Sequence, residues 1–151
     1  MKFVPTLAII GLLASPVYAE RPGRCVKRLA EIVNGQKNGP VWQCWPDGKW
    51  KRSEAYLNGR RHGRWETFDS NGRPNRLIDY DYGRIHGLSI TFYPSGKRRS
   101  LSTYRYNRLC GAQYEWYPNG RLKSSRTYRH GRLEGRWRTW HPNGVERSLE
   151  T

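Results

Sequence analysis

The sequence predicts an all-β protein, an elongated single-sheet meander of tandem antiparallel β-hairpin repeats. The first observation is a series of glycines at a constant spacing of 24 residues, at Gly39, Gly63, Gly87, Gly111 and Gly135. A second series follows nine residues after each, at Gly48, Gly72, Gly96, Gly120 and Gly144. The segments between them have strand length and are rich in aromatic and β-branched residues, without helical periodicity. A fixed period of this length indicates repeats that stack on their neighbours.

Each unit contains two turn signals. The first turn is a pair such as Pro118-Asn119 followed by glycine, in which proline presets φ, the polar side chain bonds to the local backbone, and glycine accepts a positive φ. The second turn comes three residues after a recurring tyrosine and holds Gly59, Gly83, Asn107 and Gly131 in successive units. Asparagine suits this place because it tolerates the left-handed conformation. Two strands per unit, about 4.8 Å apart, place equivalent residues roughly 9.6 Å apart, so that five units with about ten strands extend for about 50 Å.

The chain divides into three parts. Residues 1–19 hold one cation, an apolar run and the ending Val17-Tyr18-Ala19, a pattern typical of an export signal cleaved after Ala19. A buried N-terminal strand is the alternative. Residues 20–38 form an N-terminal cap and half-repeat, and residues 39–151 form five tandem hairpin repeats. We therefore expect a periplasmic or secreted protein.

One face of the sheet is predicted to be mainly aromatic. The fifth residue after each unit glycine is Cys44, Phe68, Phe92, Trp116 or Trp140. Residues two apart on a strand share a face, so Trp42, Ile90 and Tyr114 join this row, whereas Glu66 and Arg138 interrupt it. A single sheet has no second layer, so this face is expected to be only partly covered and to be a candidate contact surface.

The three cysteines are an odd number for an oxidising compartment. A disulfide between Cys25 and Cys44 would close a loop worth about 3 kcal/mol and tie the cap to the first repeat. Cys110 is then a free thiol, an intermolecular link or a small, partly buried apolar residue.

Several stretches resemble a known repeat. The segment Tyr56-Leu57-Asn58-Gly59-Arg60-Arg61-His62-Gly63-Arg64-Trp65 is similar to the core of a MORN repeat, and residues 80–87 and 128–137 repeat its pattern. The longer unit with Tyr-Pro-Asn-Gly, at residues 117–120, resembles the bacterial variant found in proteins named putative toxin–antitoxin system antitoxins. The resemblance covers residues 29–151 and implies a MORN-like solenoid that serves as a membrane-associated scaffold or in toxin neutralisation. An export signal fits an immunity or envelope role better than a cytoplasmic antitoxin.

The charge is strongly positive, with 28 Lys and Arg against 12 Asp and Glu and a formal net charge of +16. Such a chain attracts acidic proteins, anionic lipid or lipopolysaccharide, while export disfavours nucleic acid as the partner. Two sets of cations recur with the repeat: Arg60, Arg84, Arg108 and Arg132 after the second turn, and Lys49, Arg73, Lys97 and Arg121 after the first. They are the candidate binding residues, because the arginine fork matches carboxylate and phosphate. The alternative is that they are solvated turn residues of the repeat consensus.

No catalytic residue, metal, cofactor or small-molecule substrate is predicted, since nucleotide-binding, nucleophile-elbow and zinc-protease motifs are absent from the sequence. His62 and His86 occupy equivalent turn positions about 10 Å apart, too far to share a metal ion. Asp79 and Asp81 are a candidate hydrolase pair, but neutralisation of nearby arginines explains them better. We predict a non-enzymatic scaffold for an acidic protein, with toxin neutralisation as its most concrete form and binding of anionic lipid or lipopolysaccharide as the alternative.

Overall fold

The computed structural model describes residues 24–135 and 137–150, so the predicted export signal lies outside the described residues. Within these ranges the chain contains thirteen β-strands in one antiparallel sheet and no helix. A membrane-spanning helix of sufficient length and apolarity is accordingly not found in the described part of the chain. The predicted all-β, single-sheet meander is confirmed.

The strands follow one another across the sheet in chain order. They are β1 (Glu31–Val33), β2 (Gln36–Cys44), β3 (Trp50–Leu57), β4 (Arg60–Arg61), β5 (Gly63–Phe68), β6 (Pro74–Asp81), β7 (Arg84–Phe92), β8 (Arg98–Arg105), β9 (Arg108–Trp116), β10 (Leu122–Arg129), β11 (Arg132–Leu133), β12 (Trp137–Trp140) and β13 (Glu146–Glu150). The short β4 and β11 pair with β3 and β10, and the other eleven form the continuous path. The path exceeds the predicted ten strands by one because the half-repeat supplies β1.

A bulge at the unit glycine shapes each hairpin. Between the pairs Ile78↔Ser89 and Tyr80↔Ile85, one residue of β6 faces three of β7, with Gly87 in the middle. The same two-residue excess recurs around Gly111 opposite β8. Gly87 has φ +110 and Gly111 has φ +72. The constant unit glycine is therefore explained by a bulge that requires a positive φ.

The next strand pairs each unit glycine with the recurring tyrosine. The register joins Gly39 to Tyr56, Gly63 to Tyr80, Gly87 to Tyr104 and Gly111 to Tyr128. A direct cross-strand partner lies on the same face of the sheet. A Cβ at Gly111 would nevertheless meet nothing within 4 Å, so the Tyr128 ring does not fill the space beside that glycine. The recurring tyrosine and the unit glycine are thus linked by the strand register.

The two predicted turns have the expected backbone. In the first turn, glycine takes a positive φ, as at Gly48 with φ +80, and its N–H donates to the Trp45 carbonyl at 2.9 Å. In the second turn both central residues have positive φ, as at Asn58 (φ 49) and Gly59 (φ 74), which is the type I′ geometry that matches strand twist. Asn107 has φ 67, so the predicted left-handed asparagine is confirmed.

The apolar core is thin, as expected for a single layer. The buried apolar residues are Cys25, Trp42, Ala55, Phe68 and Ile78. One face carries the cross-strand row that runs from Leu77 through Ile90 and Leu101 to Tyr114. Phe92, Trp116 and Trp140, which the sequence places on this face, are half-buried. Stability therefore depends on contacts between neighbouring strands.

The N-terminal segment covers the edge of the first repeat. Cys25 and Cys44, the pair suggested by the sequence, are joined by a disulfide with a Cα–Cα distance of 5.8 Å. Arg28 exchanges two backbone hydrogen bonds with Trp42, at 3.0 and 2.8 Å, and its guanidinium lies 5.1 Å from the Trp42 ring centroid. Cys110 is a free, half-exposed thiol. The cap thus continues the sheet beyond β2.

Candidate anion-binding site

The two sets of cations lie on opposite long edges of the sheet, because successive turns of a meander alternate between its edges. We call them the first-turn ladder (Lys49, Arg73, Lys97 and Arg121) and the second-turn ladder (Arg60, Arg84, Arg108 and Arg132). Each residue of the second-turn ladder is the first residue of a strand, in β4, β7, β9 and β11, and all four are exposed. The predicted ladders are therefore present as geometric features.

The first-turn ladder is largely engaged by the protein itself. Arg73 Nη1 donates to the Pro94 carbonyl at 3.0 Å, and Lys97 Nζ donates to the Asn119 carbonyl at 3.1 Å. Arg121 Nη1 donates to the Asn143 carbonyl in the same way. Each of these side chains spans from its own turn to the turn of the following unit. Their position therefore has a structural explanation, namely the stacking of successive turns.

Lys49 engages its own turn instead. Its Nζ lies 2.6 Å from Asp47 Oδ2, and its backbone N–H donates to Asp47 Oδ1 at 3.1 Å. The side-chain bond from Lys49 is the main reason that the pKa of Asp47 is lowered, and the backbone bond adds to it. This pair is fully exposed, so it closes the turn without contributing much to overall stability.

The second-turn ladder lacks such partners. Among the described residues, none forms a hydrogen bond or an ion pair with the guanidinium of Arg60, Arg84, Arg108 or Arg132. Their stems are nevertheless placed by the backbone: a side chain added at Gly83 would meet Arg60 Cβ at 3.8 Å, and one at Gly131 would meet Arg108 Cβ at 3.9 Å. Arg60 and Arg108 thus lie against the following turn, and all four arginines present an unengaged cation to the described residues.

The hairpin register adds two further arginines that sequence reasoning missed. Arg105 pairs directly with Arg108, and Arg129 pairs directly with Arg132. In the two preceding units the equivalent partners are Leu57 and Asp81. The sequence does contain a signal for these two arginines. The residue three positions before each arginine of the second-turn ladder is Leu, Asp, Arg and Arg in successive units. Positive charge is therefore doubled at the third and fourth units.

A groove lies among these side chains, which we call the arginine groove. It has a volume of about 520 Å³ and is lined mainly by Arg84, Arg105, Arg108, Arg129, Tyr106 and Cys110. An adjoining hollow of about 450 Å³ shares Arg108 and Arg129 and extends to Arg132 and Glu134. Glu134 is engaged by Arg129, with Nη1 and Oε1 3.3 Å apart. The remaining guanidiniums face the hollow without a carboxylate partner among the described residues.

Aromatic contacts explain why the groove opens at this place. His62 packs against Tyr82 with ring centroids 4.9 Å apart, and His86 packs against Tyr106 at 4.5 Å. These histidines therefore lie at the bulge and not in the turn as predicted. At the equivalent position of the following unit stands Cys110, which is smaller and leaves space beside His130.

The titratable residues considered for chemistry have local roles. Asp79 accepts hydrogen bonds from Arg64 Nε at 3.0 Å and from the Leu88 backbone N–H at 3.1 Å. The bond to Asp79 raises the pKa of Arg64. Asp81 lies 3.3 Å from His62 Nδ1. Each carboxylate has its own partner, which favours ion pairing over hydrolysis. No cluster of three or more His, Cys, Asp or Glu side chains suited to a metal ion occurs in residues 24–135 and 137–150.

An open antiparallel meander with a 24-residue period, in which hairpins stack through their turns, defines a β-hairpin repeat protein. The family model described as the MORN repeat variant matches residues 85–106 and 109–130. The chain therefore carries two repeats that match the MORN repeat variant, at these positions. MORN repeat proteins are typically non-enzymatic binding scaffolds. No curated protein matches the chain.

Proposed function

We propose that this protein is a non-enzymatic binding scaffold of the cell envelope or the secreted fraction, and that its second-turn ladder engages an acidic protein partner. Toxin neutralisation, as an antitoxin or immunity protein, is the most concrete form of this role. One observation carries the proposal: four exposed arginines recur along one edge without an ion-pair partner among the described residues, whereas the cations of the opposite edge bond to the protein itself.

Electrostatics supports a protein that attracts its partner from a distance. The chain has a net charge of +16, and the ladder concentrates part of it on one edge. Neighbouring arginines of the ladder lie about 9.6 Å apart, which is roughly one Debye length at 0.1 M salt. Their mutual repulsion is therefore tolerable while their electric fields add. Arginine suits this role because each planar fork donates two parallel hydrogen bonds to one carboxylate.

The location is part of the proposal. Residues 1–19 have the pattern of an export signal, although they lie outside the described residues. The disulfide between Cys25 and Cys44 supports an oxidising compartment, because disulfides persist in the periplasm and outside the cell and are rare in the cytosol. We therefore place the binding activity in the periplasm or the secreted fraction.

The test compares two variants with equal loss of charge. The first variant replaces the whole second-turn ladder by Gln, at Arg60, Arg84, Arg108 and Arg132. The second variant replaces the whole first-turn ladder by Gln, at Lys49, Arg73, Lys97 and Arg121. Exported protein is used to capture partners from a periplasmic and membrane extract at low and moderate salt. We expect one stoichiometric protein with the unaltered chain and its loss with the first variant only. Equal capture by both variants, each shown to be folded, would contradict the proposal.

A second candidate is peripheral binding to anionic lipid or lipopolysaccharide. The repeated exposure of the second-turn ladder along one edge favours it, because a row of cations attracts an anionic surface. Graded binding to anionic vesicles, with no protein recovered from the extract, would favour this candidate over the first.

A further inference from the structure

We propose that the arginine groove is the docking site for an extended acidic segment of the partner. The carboxylates of this segment would lie between the second turns of the third and fourth units. This inference rests on the proposed scaffold function and names its primary contact. The proposed docking site is smaller than the second-turn ladder. Arg105, Arg108 and Arg129 would contribute most of the binding energy, and Arg60 would contribute little.

The first argument is the cost of the like-charged pairs. Arg105 faces Arg108 and Arg129 faces Arg132 as direct cross-strand neighbours. Like charges placed directly opposite each other destabilise a sheet. In the second unit the same register places Asp81 opposite Arg84, so the fold does not require arginine at this position. A violation of local pairing rules that the fold does not need indicates a functional site.

The second argument is the space between the second turns of the third and fourth units. Cys110 stands where the two preceding units have His62 and His86, each of which packs against an aromatic ring of the following turn. The smaller side chain leaves the groove of about 520 Å³, with a half-exposed thiol in its lining. Charge and space therefore coincide in the same two units.

The third argument concerns the occupant. The arginine groove admits a single extended chain, whose carboxylates can reach the guanidiniums on both sides of the groove. A bilayer surface is flat and would meet the outer arginines without filling the recess. Tyr106, which lines the recess, has an exposed ring that can contact the apolar parts of a peptide. An acidic peptide segment therefore fits the groove better than lipid headgroups do.

Two residues at the rim of the groove have a left-handed backbone. Tyr106 and His130 have φ 48 and φ 52, in the left-handed region that bulky residues rarely adopt. Asn58 holds the equivalent place in the first unit, where the conformation is easily tolerated. Tyr82, which does not line the groove, has φ 42 at the same place in the second unit, so this conformation belongs to the turn position and does not by itself mark the groove.

The experiment uses the free thiol as a reporter. Cys110 is the one cysteine outside the disulfide, so its alkylation by neutral iodoacetamide is measured on the full protein by mass spectrometry. The probe is acetylated, amidated hexaglutamate at low salt. Occupation of the groove is expected to slow alkylation of Cys110, and the affinity of the probe is measured in parallel by isothermal titration calorimetry.

Two triple variants with the same loss of charge provide the comparison. The first variant, the groove variant, replaces Arg105, Arg108 and Arg129 by Gln. The second variant makes the same replacement at three arginines near the first-turn edge, Arg76, Arg98 and Arg147. We expect the first variant to bind hexaglutamate about tenfold more weakly and to lose thiol protection, whereas the second keeps protection and loses little affinity. Equal losses, or binding without protection of Cys110, would overturn the proposal.

Further outcomes separate this inference from the general function. Stronger protection of Cys110 by phosphatidylglycerol vesicles than by hexaglutamate would replace the peptide with lipid and overturn the inference. A natural partner lost from the four-arginine ladder variant but retained by the groove variant would also overturn it, while the scaffold function would stand. Failure to capture any protein would contradict the function, and the hexaglutamate result would still decide whether the groove binds acidic segments.

Discussion

Arg105 of β8 lies directly opposite Arg108 of β9, so that two guanidinium side chains share one cross-strand position next to a tight turn. The equivalent pair in the preceding unit is Asp81 and Arg84. The same hairpin register thus supports an opposite-charge pair in one unit and a like-charge pair in the following one. This contrast allows the cost of the arginine pair to be measured within one molecule.

Replacement of Arg105 by Asp is expected to stabilise the protein. The change converts a repulsive pair into an attractive one, which should raise the free energy of unfolding by about 0.5–1 kcal/mol, and more at low salt than at high salt. The reciprocal variant Asp81→Arg should lower it. Urea denaturation at two salt concentrations measures both changes. Destabilisation by Arg105→Asp would show that the pair carries no net repulsion, and would weaken the argument for the groove.

Alanine at two equivalent glycines should have different effects. At Gly87, a Cβ would lie 2.9 Å from Asp79 Cβ, whereas at Gly111 nothing lies within 4 Å. Both positions have positive φ, so Gly111→Ala should cost about 1 kcal/mol from the backbone alone. Gly87→Ala should cost at least about 2 kcal/mol, because steric overlap is added. Chemical denaturation compares the two variants directly, and equal costs would refute the explanation by close approach.

Hydroxyl groups of two tyrosines connect neighbouring units. Tyr93 Oη donates to the Trp116 carbonyl at 2.7 Å, and Tyr117 Oη donates to the Trp140 carbonyl at 2.8 Å. Tyr117→Phe should therefore lower the free energy of unfolding by about 0.5–1.5 kcal/mol. Tyr114→Phe is the control, since its hydroxyl bonds to none of the described residues. A loss of the same size in the control would show that the bond to Trp140 is not the cause.

Loss of the disulfide should affect one end of the array. The double variant Cys25→Ser, Cys44→Ser is expected to lose about 3 kcal/mol of local stability in the cap and first repeat. Because units in a repeat array contact only their neighbours, amide exchange should become faster in β1 and β2 and remain unchanged in β9 and β10. Hydrogen exchange with mass spectrometry distinguishes this result from a uniform increase, which would indicate one cooperative unit. Cys110→Ser serves as the control.

The Asp47 carboxyl should titrate below 3.8, its ordinary value, because Lys49 holds it ionised. A lowered pKa in the folded state means that the interaction contributes stability above the ordinary pKa and loses it as pH falls through the lowered pKa. Nuclear magnetic resonance of the Asp47 side-chain carbon measures the midpoint. Lys49→Ala should move it upward, although the backbone bond remains; an unchanged midpoint would show that the side-chain bond is not the main cause.

The repeat itself was predictable from sequence because its determinants are local. The positive φ at Gly48, the type I′ turn at Asn58-Gly59 and the asparagine at position 107 depend on residues a few positions apart. The two ladders followed from the same period. The role of Tyr56 and its equivalents did not, because the pairing with a unit glycine requires the register of the assembled sheet.

The candidate site was only partly predictable for the same reason. Sequence alone fixed the 24-residue period, the turns, the single-sheet class and the positions of the repeated cations. Tertiary structure alone decided which cations bond to a neighbouring turn, which arginines face each other, and where Cys110 opens a groove. Local backbone preferences are encoded within a few residues, whereas the bonds between successive turns join residues about 20 positions apart. The facing arginines are close in sequence, but their direct pairing depends on the strand register.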